Sequence, residues 1–128
     1  EMETMAHFKL LGEALLRLKV HGSFGFSYIT KEDLAKYNAT ENDSEGIVDY
    51  LRKEKDIEIL LFLKELPEGG YKGSLRSKND AEVKKIAELF GGGGHRKAAG
   101  FTSNLPKEEI IRIVEEEIQK ENQEENVI

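Results

Sequence analysis

The sequence predicts a single α/β domain in which a mixed β-sheet of about four to five strands is flanked by helices. Stretches with helical spacing of apolar residues alternate along the chain with short strand-like segments. One segment, residues 57–66, is nearly continuously apolar in its middle, which is typical of a central strand covered on both faces. A chain of 128 residues with 38% hydrophobic residues is long enough to close the core of one domain but too short for two independent ones. We therefore expect one domain.

The first part of the chain predicts a helix, a strand and two shorter helices. Residues 4–19 repeat apolar side chains at helical spacing, and residues 23–28 alternate aromatic with small residues, which predicts a strand with one face in the core. Thr30 is placed to cap a helix that runs through Tyr37. Asp43 is placed to cap another, whose apolar side is formed by Ile47, Val48 and Leu51.

A hairpin is predicted after the apolar strand. Residues 67–70 are turn formers, so residues 71–77 should fold back beside the apolar strand. Alternation along this second strand separates Lys72, Ser74 and Arg76 from the residues between them.

Two further helices are predicted beyond the hairpin. Asn79 or Asp80 is a candidate cap for the first, and the glycines at 91–94 end it. Its core face is formed by Val83, Ile86, Ala87 and Phe90. A short strand at 101–103 then leads to a last helix opened by Pro106, with a buried stripe of Ile110, Ile111, Val114 and Ile118.

Charge is distributed unevenly along the chain. The net charge is -6, yet residues 71–97 carry seven basic and three acidic side chains. Such a basic window suits a small phosphorylated ligand better than a long duplex, whose affinity depends on many spread phosphate contacts. Charge counts alone favour the simpler explanation of a solvated surface rich in Lys and Glu.

Several classes of protein are disfavoured by what the sequence lacks. There is no cysteine, and the three histidines lie far apart, so neither a disulfide framework nor a thiolate or paired-imidazole metal site is expected. No apolar run is long enough to span a membrane, and no secretory signal is recognisable. We expect a cytoplasmic protein without a membrane partner.

The run from Gly91 to Gly100 contains five of the twelve glycines. Four of them come first and are followed directly by His95, Arg96 and Lys97. Ending a helix requires one glycine, and each further one costs roughly 0.5 to 1 kcal/mol of backbone entropy relative to alanine. The surplus predicts bare backbone that a phosphate can approach, with cations beside it. The spacing fits neither a P-loop nor a dinucleotide fingerprint. A mobile hinge or a tight turn remains the alternative.

Two motifs together resemble a known family. Gly73-Ser74-Leu75-Arg76-Ser77-Lys78, followed by the glycine run and Phe101, is similar to the DHH-associated C-terminal domain of DHH-type phosphoesterases. The branch that it resembles contains nanoRNases, pAp phosphatases and cyclic-dinucleotide phosphodiesterases. The resemblance implies a linker-like leading helix at 1–20, a substrate-binding domain at 21–120 and a polar tail at 121–128.

The resemblance also implies a function and its residues. A catalytic domain absent from this chain would carry two manganese ions, and this chain would bind a short 5′-phosphorylated oligonucleotide or dinucleotide, hold no cofactor of its own and be inactive alone. Any oligomer would form through the parent protein, and the sequence leaves the oligomeric state open. The residues implied in substrate binding are Ser74, Arg76, Ser77, Lys78, Gly92, Gly93, Gly94, His95 and Arg96. An aromatic of strand 23–28 could stack a base, although alternating aromatics favour the core.

This chain departs from the family in one respect and leaves two alternatives open. It has no Asp-His-His triplet, so we expect it to be the substrate-binding half of a longer hydrolase that cleaves short oligoribonucleotides, pAp or dinucleotides. The alternatives are an RNA-binding appendage of the alanyl-tRNA synthetase type and a dimerisation module.

Overall fold

The structure, a computed structural model, describes residues 2–125. Within them the chain forms five α-helices, six β-strands and one 3-10 turn. In chain order these are α1 (Met5–Arg17), β1 (Lys19–His21), β2 (Phe24–Ile29), α2 (Lys31–Lys36), a 3-10 turn (Glu41–Ser44), α3 (Ile47–Leu51), β3 (Ile59–Glu65), β4 (Tyr71–Ser77), α4 (Lys84–Glu88), β5 (Gly93–Gly94), β6 (Ala98–Ser103) and α5 (Lys107–Glu125).

The strands form one mixed sheet in the order β1-β2-β3-β4-β6-β5. β2 and β3 are parallel, joined by a crossover through α2 and α3, and the other neighbours are antiparallel. The predicted α/β class, the inner position of the apolar strand and the hairpin with β4 are confirmed. The sheet has six strands, more than the four to five predicted. The additional strands β1 and β5 have only three and two residues, which is too short for a recognisable alternation in the sequence.

Helices cover both faces of the sheet, and each face has its own core. We call the side toward α1, α2 and α3 the α1 face and the opposite side the α5 face. The α1-face core contains Leu10, Ala14, Ile29, Ile47, Val48, Leu51, Ile57, Leu60 and Phe62. The α5-face core contains Phe24, Phe26, Ile59, Leu61, Leu63, Leu75, Val83, Ile86, Ala87, Ala99, Phe101, Ile110, Val114 and Ile118.

Strand β2 is buried on both faces, so the expectation of a single core face is wrong. Its small residues admit close neighbours on the α1 face. The Ser27 hydroxyl donates to the Ala14 carbonyl at 2.6 Å, and a Cβ at Gly25 would clash with the Ile57 side chain. The aromatics Phe24 and Phe26 lie in the α5-face core. They are therefore not free to stack a base.

The α1 face is covered over β2 and β3, is reached by α3 at β4, and is most open over β6 and β5. Lys72 on β4 is exposed, and five residues beside it are partly exposed. On the α5 face the neighbouring residues of β4 and β6, such as Leu75, Ala99 and Phe101, are buried. We call these five partly exposed residues the open shelf: Ser74, Arg76, Gly93, Ala98 and Gly100. Apart from the arginine, their side chains are small or absent.

The predicted cap of α2 is confirmed and is part of a larger hydrogen-bond network that joins α2 to α1. Thr30 and Asp33 form a reciprocal capping box, and Arg17 at the end of α1 donates to both oxygens of Asp33 at 2.6 and 2.9 Å. Burial acts to raise the pKa of Asp33, but hydrogen bonds from Arg17 and Thr30 outweigh it and hold the pKa below its ordinary value. These hydrogen bonds fix α1 and α2 together.

Two predicted helix caps are wrong, because residues distant in sequence hold the predicted capping segments away from the helix starts. Asp43 lies in the 3-10 turn, where its carboxylate accepts from Thr4 and Thr40, and α3 begins after Gly46 in a left-handed conformation. Neither Asn79 nor Asp80 caps α4, which begins after Val83. The Lys97 ammonium donates to backbone carbonyls in the 79–81 segment and holds it out of the helix.

The last two elements extend further than the sequence indicated. β6 begins at Ala98 rather than Phe101, because residues 98–100 pair with β4 and β5. α5 begins directly after Pro106 and buries Ile110, Val114 and Ile118, with Ile111 partly buried. Of the predicted polar tail at 121–128, residues to 125 continue this helix and 126–128 lie outside the described residues.

Candidate functional site

Arg76 is the cation of the open shelf. Its side chain is 25% exposed, with Nε 3.5 Å from Asp49 Oδ1 on α3 and Nη1 donating to the Leu75 carbonyl at 3.1 Å. These contacts hold the guanidinium at the boundary between α3 and the shelf while leaving donors unused. A guanidinium has five N–H donors in a planar fork that matches phosphate oxygens. The site therefore has the chemistry to bind an anion.

The floor of the shelf is made of residues with little or no side chain. Ser74, Gly100 and Gly93 lie opposite one another across β4, β6 and β5, and Ala98 lies opposite Arg76. A Cβ built at Gly93 meets nothing within 4 Å. A ligand can therefore rest against the main chain beside the arginine.

Three of the glycines at 91–94 are required by the backbone conformation and packing of the domain itself, which the sequence did not predict. α4 already ends at Glu88, and Gly91 lies in the turn after it with φ +79°, while Gly94 has φ +141° close to the backbone of β6. A Cβ at Gly92 would lie 2.6 Å from the Cβ of Phe101. The expectation that all but one of these glycines are surplus is therefore wrong. Of the four, only Gly93 has neither a positive φ nor a close neighbour.

His95 and Arg96 lie at the exposed tip of the hairpin between β5 and β6. The Arg96 carbonyl accepts from the Val83 N–H at 2.7 Å, and its Nη1 lies 3.8 Å from Glu82 Oε2. A hollow of about 350 Å³ at this tip is lined by Lys84, Gly94, His95, Arg96 and Lys97. The tip is thus a second cationic region, at the end of the sheet next to Arg76.

The tip and Arg76 are joined through the backbone. Arg76 is in register with Ala98, and the Ser77 N–H donates to the Lys97 carbonyl at 3.0 Å. No hydrogen bond or ion pair within residues 2–125 joins the Arg76 side chain to His95 or Arg96. The structure therefore brings Ser74, Arg76 and Gly93 together on the shelf and places the tip residues beside it.

Ser77 and Lys78 lie differently from the other residues implied by the resemblance. Ser77 is on the α5 face, 4% exposed, and its hydroxyl has no hydrogen-bond partner among the described residues. Lys78 is on the α1 face, but its ammonium donates to the Glu54 carbonyl at 2.8 Å. This bond ties the loop after α3 to the end of β4. Neither side chain is free toward the shelf.

Two residues at the site had not been singled out from the sequence. Asp49 follows the start of a short helix with no motif around it, and only the docking of α3 on β3 and β4 brings it to Arg76. Lys84 belongs to the basic window, and that window is the one signal that could have pointed to it. Its place at the hairpin tip depends on the approach of α4 to β5 and β6.

The described residues offer neither a metal site nor a membrane-spanning helix. Among residues 2–125 no group of three or more His, Asp or Glu side chains is arranged to hold a metal ion. The side chains of this part of the chain therefore do not fit a manganese site. Within the same residues no helix is long and apolar enough to cross a membrane.

Comparisons with known proteins agree with the resemblance. The family model described as the DHHA1 domain matches residues 21–120. The bifunctional oligoribonuclease and PAP phosphatase NrnA of Thermus thermophilus is 31% identical over 118 residues, which are 88% of this chain and 35% of that protein. The chain thus spans about a third of the length of this curated relative.

Solved structures share the fold. An exopolyphosphatase-related protein from Bacteroides fragilis superposes with a TM-score of 0.84 at 30% identity, over 93% of this chain and 36% of that one. A pGpG-specific phosphodiesterase, PggH, from Vibrio cholerae superposes with a TM-score of 0.62 at 17% identity, over 91% of this chain and 39% of that one. The likeness to the second protein concerns the fold alone.

Proposed function

The chain belongs to the DHHA1 domain family of DHH phosphoesterases, and on that premise we propose that it binds the terminal phosphate of a short oligonucleotide or dinucleotide. The proposal assigns the hydrolytic step to the rest of a longer protein. It draws support from the relative NrnA, of which this chain matches only 35%.

The observation that carries the proposal is Arg76 at the edge of the open shelf. A charged hydrogen-bond donor stands there beside a floor of Gly93, Ala98 and Gly100, where the main chain is accessible. In this arrangement the arginine holds two phosphate oxygens, and the Ser74 hydroxyl, two residues along the same face, is available to a third. The low side-chain content of the floor lets the attached sugar lie flat against the sheet.

Anchoring the terminal phosphate would select substrate length. If the anchor and the catalytic centre of the parent are a fixed distance apart, only ligands of a certain length place their scissile bond correctly. On this proposal the manganese ions belong to the parent's catalytic domain, since the described residues do not offer ligands for them. The chain alone is then expected to bind nucleotides without hydrolysing them.

The proposal is tested by titrating the chain with pApA, with AMP and with the unphosphorylated dinucleoside ApA, while following the backbone amides of Gly93 and Gly100 by NMR. We expect pApA and AMP to shift these amides and ApA to bind much more weakly. Arg76→Gln should weaken phosphate-dependent binding by roughly tenfold or more, the equivalent of a charged hydrogen bond of 1.5 kcal/mol or more.

Arg112→Gln is the matched control. Arg112 lies on α5, away from the α1 face, where it pairs with Glu109 and Glu116, so the same loss of charge should leave nucleotide binding unchanged. Equal binding of pApA and ApA, or equal losses in the two variants, would contradict the proposal.

The two alternatives predict other results. An RNA-binding appendage would prefer folded tRNA over dinucleotides and show a steep salt dependence. A dimerisation module would show a mass that rises with concentration and no effect of nucleotides on melting. One observation favours the latter: the outer side of α1 carries exposed apolar side chains, namely Met5, Phe8, Leu15 and Leu16.

A further inference from the structure

A groove runs from Arg76 along β4 to a second cation that neither the motifs nor the comparisons assign to binding. The groove lies between β4 and residues 44–49 and has a volume of about 220 Å³. Its strand side carries Lys64, Lys72, Ser74 and Arg76, and its other side Ser44, Glu45, Gly46, Val48 and Asp49, with Phe62 as part of the floor. One end is therefore Arg76 and the other is Lys72.

The register of the sheet places two lysines directly opposite each other at the Lys72 end. Lys64 on β3 pairs with Lys72 on β4, so both side chains are on the α1 face. Like charges directly opposite across strands destabilise a sheet. A compensating negative charge is expected nearby.

Only one of these two lysines has such a partner. Lys64 Nζ lies 2.8 Å from Glu41 Oε2 and 3.2 Å from Ser44 Oγ, and its side chain is 17% exposed. Lys72 is exposed and makes no hydrogen bond, ion pair or ring contact with any residue between 2 and 125. The unmatched positive charge at this end of the groove thus belongs to Lys72.

The spacing suits one ligand that reaches both cations. Residues four apart on an antiparallel strand are separated by about 14 Å between Cα atoms, and long lysine and arginine side chains can shorten the gap between their charged ends. The Ser74 hydroxyl lies midway on the same face. A ligand with one phosphate at Arg76 can therefore present a second to Lys72 without leaving the groove.

We propose that Lys72 binds a second phosphate group of the nucleotide whose terminal phosphate lies at Arg76. The proposal rests on the function proposed above and narrows its ligand class. Ligands with two phosphate groups, either a diester link to a second nucleotide or a second monoester on the same nucleoside, gain a contact that a nucleoside monophosphate lacks. The chain should thus discriminate between these classes through a lysine outside both motifs.

The test compares Lys72→Gln with the unmodified chain by calorimetric titration of AMP, adenosine 3′,5′-bisphosphate and pApA over a range of salt concentrations. For at least one doubly phosphorylated ligand we expect a two- to fivefold loss of affinity, about the strength of an exposed ion pair. The dependence of its affinity on salt concentration should also weaken, because one exposed ion pair that salt screens has been removed. AMP should bind with unchanged affinity and salt dependence. The ligand that responds identifies the source of the second phosphate.

Lys120→Gln is the control, because Lys120 is an exposed lysine on α5 that makes no contact of these kinds within residues 2–125. It should leave all three titrations unchanged. Equal losses for AMP and both larger ligands in Lys72→Gln, or no loss for any, would overturn this inference alone, provided that Arg76→Gln still weakens binding. If Arg76→Gln leaves binding unchanged, the proposed function fails, and the inference fails with it.

Discussion

Two adjacent glycines of the run should respond oppositely to the same substitution. A Cβ at Gly93 meets no atom within 4 Å and its φ is not positive, so Gly93→Ala introduces no clash. Replacing glycine by alanine at a compatible position reduces the entropy of the unfolded chain, and we expect the free energy of unfolding to rise by about 0.4 to 1 kcal/mol.

Gly92 is in the opposite situation. A Cβ there would lie 2.6 Å from the Cβ and 2.8 Å from the Cα of Phe101, and closer still to the Gly100 carbonyl oxygen. Because two of these atoms are backbone, relief requires β6 to move. We expect Gly92→Ala to lower the free energy of unfolding by about 1 to 3 kcal/mol or more.

Urea denaturation followed by circular dichroism measures both effects. With an m-value of about 2 kcal/mol/M, the midpoint of Gly92→Ala should fall by roughly 0.5 to 1.5 M, while that of Gly93→Ala should stay or rise slightly. Gly12→Ala on α1 is a control, since Gly12 is a helical glycine with nothing within 4 Å of its Cβ. It should be stabilising by up to about 1 kcal/mol.

Nucleotide binding by the same variants distinguishes a ligand-binding shelf from an exposed surface that simply accepts a larger side chain. If a ligand rests on the main chain at Gly93, the added methyl occupies its place, and the affinity of Gly93→Ala for AMP should fall by about tenfold, or roughly 1.4 kcal/mol. Gly12→Ala should bind AMP normally. Destabilisation of Gly93→Ala to the same extent as Gly92→Ala would refute the packing argument, and normal AMP binding by Gly93→Ala would refute the role of the shelf.

Three further predictions concern single side chains. Asp49→Asn removes the carboxylate that competes with a ligand for Arg76, so AMP affinity should rise about two- to fivefold in titrations; a fall would contradict this role. Ser77→Ala removes a buried hydroxyl that has no hydrogen-bond partner within residues 2–125, so thermal melting should show no loss of stability, and a loss above about 1 kcal/mol would reveal a bond to that hydroxyl. The depressed pKa of Asp33 contributes stability that is present above its ordinary value of 3.8 and is lost as the pH falls toward the folded-state pKa. Asp33→Asn should therefore lower the free energy of unfolding by about 1 to 3 kcal/mol at neutral pH in urea titrations. Below pH 3.8 the difference in stability between the variant and the unmodified chain should shrink. An equal loss of stability on acidification in both proteins would show that another group is responsible.

Alternation along β4 was sufficient to sort its side chains. The period of two placed Lys72, Ser74 and Arg76 on one face and Leu75 and Ser77 on the other, as the structure has them. The same pattern already set Ser77 apart from Arg76, although the motif resemblance grouped the two. The pattern is reliable here because Leu75 must be buried, and burying it fixes the direction of every other residue in the strand.

Helix caps were the least predictable local features. A capping side chain competes with every other partner that the fold brings near, and those partners are distant in sequence. Thr4 engages Asp43 from 39 residues away, and Lys97 holds the 79–81 segment from the far side of the glycine run. Local spacing contains no information about either contact.

By itself, the sequence determined the fold class, the central strand, the polar side of β4 and the membership in a phosphoesterase family, because periodicity and motif spacing are local. Only the tertiary structure decided which part of which face stays open, since the helices of the α1 face dock mainly over β2 and β3 and leave part of β4, with β6 and β5, accessible. It also decided that Asp49 meets Arg76 and that Lys72 faces Lys64 with no acidic partner among the described residues. These contacts join segments that are far apart in the chain, and the packing of helices on the sheet brings them together.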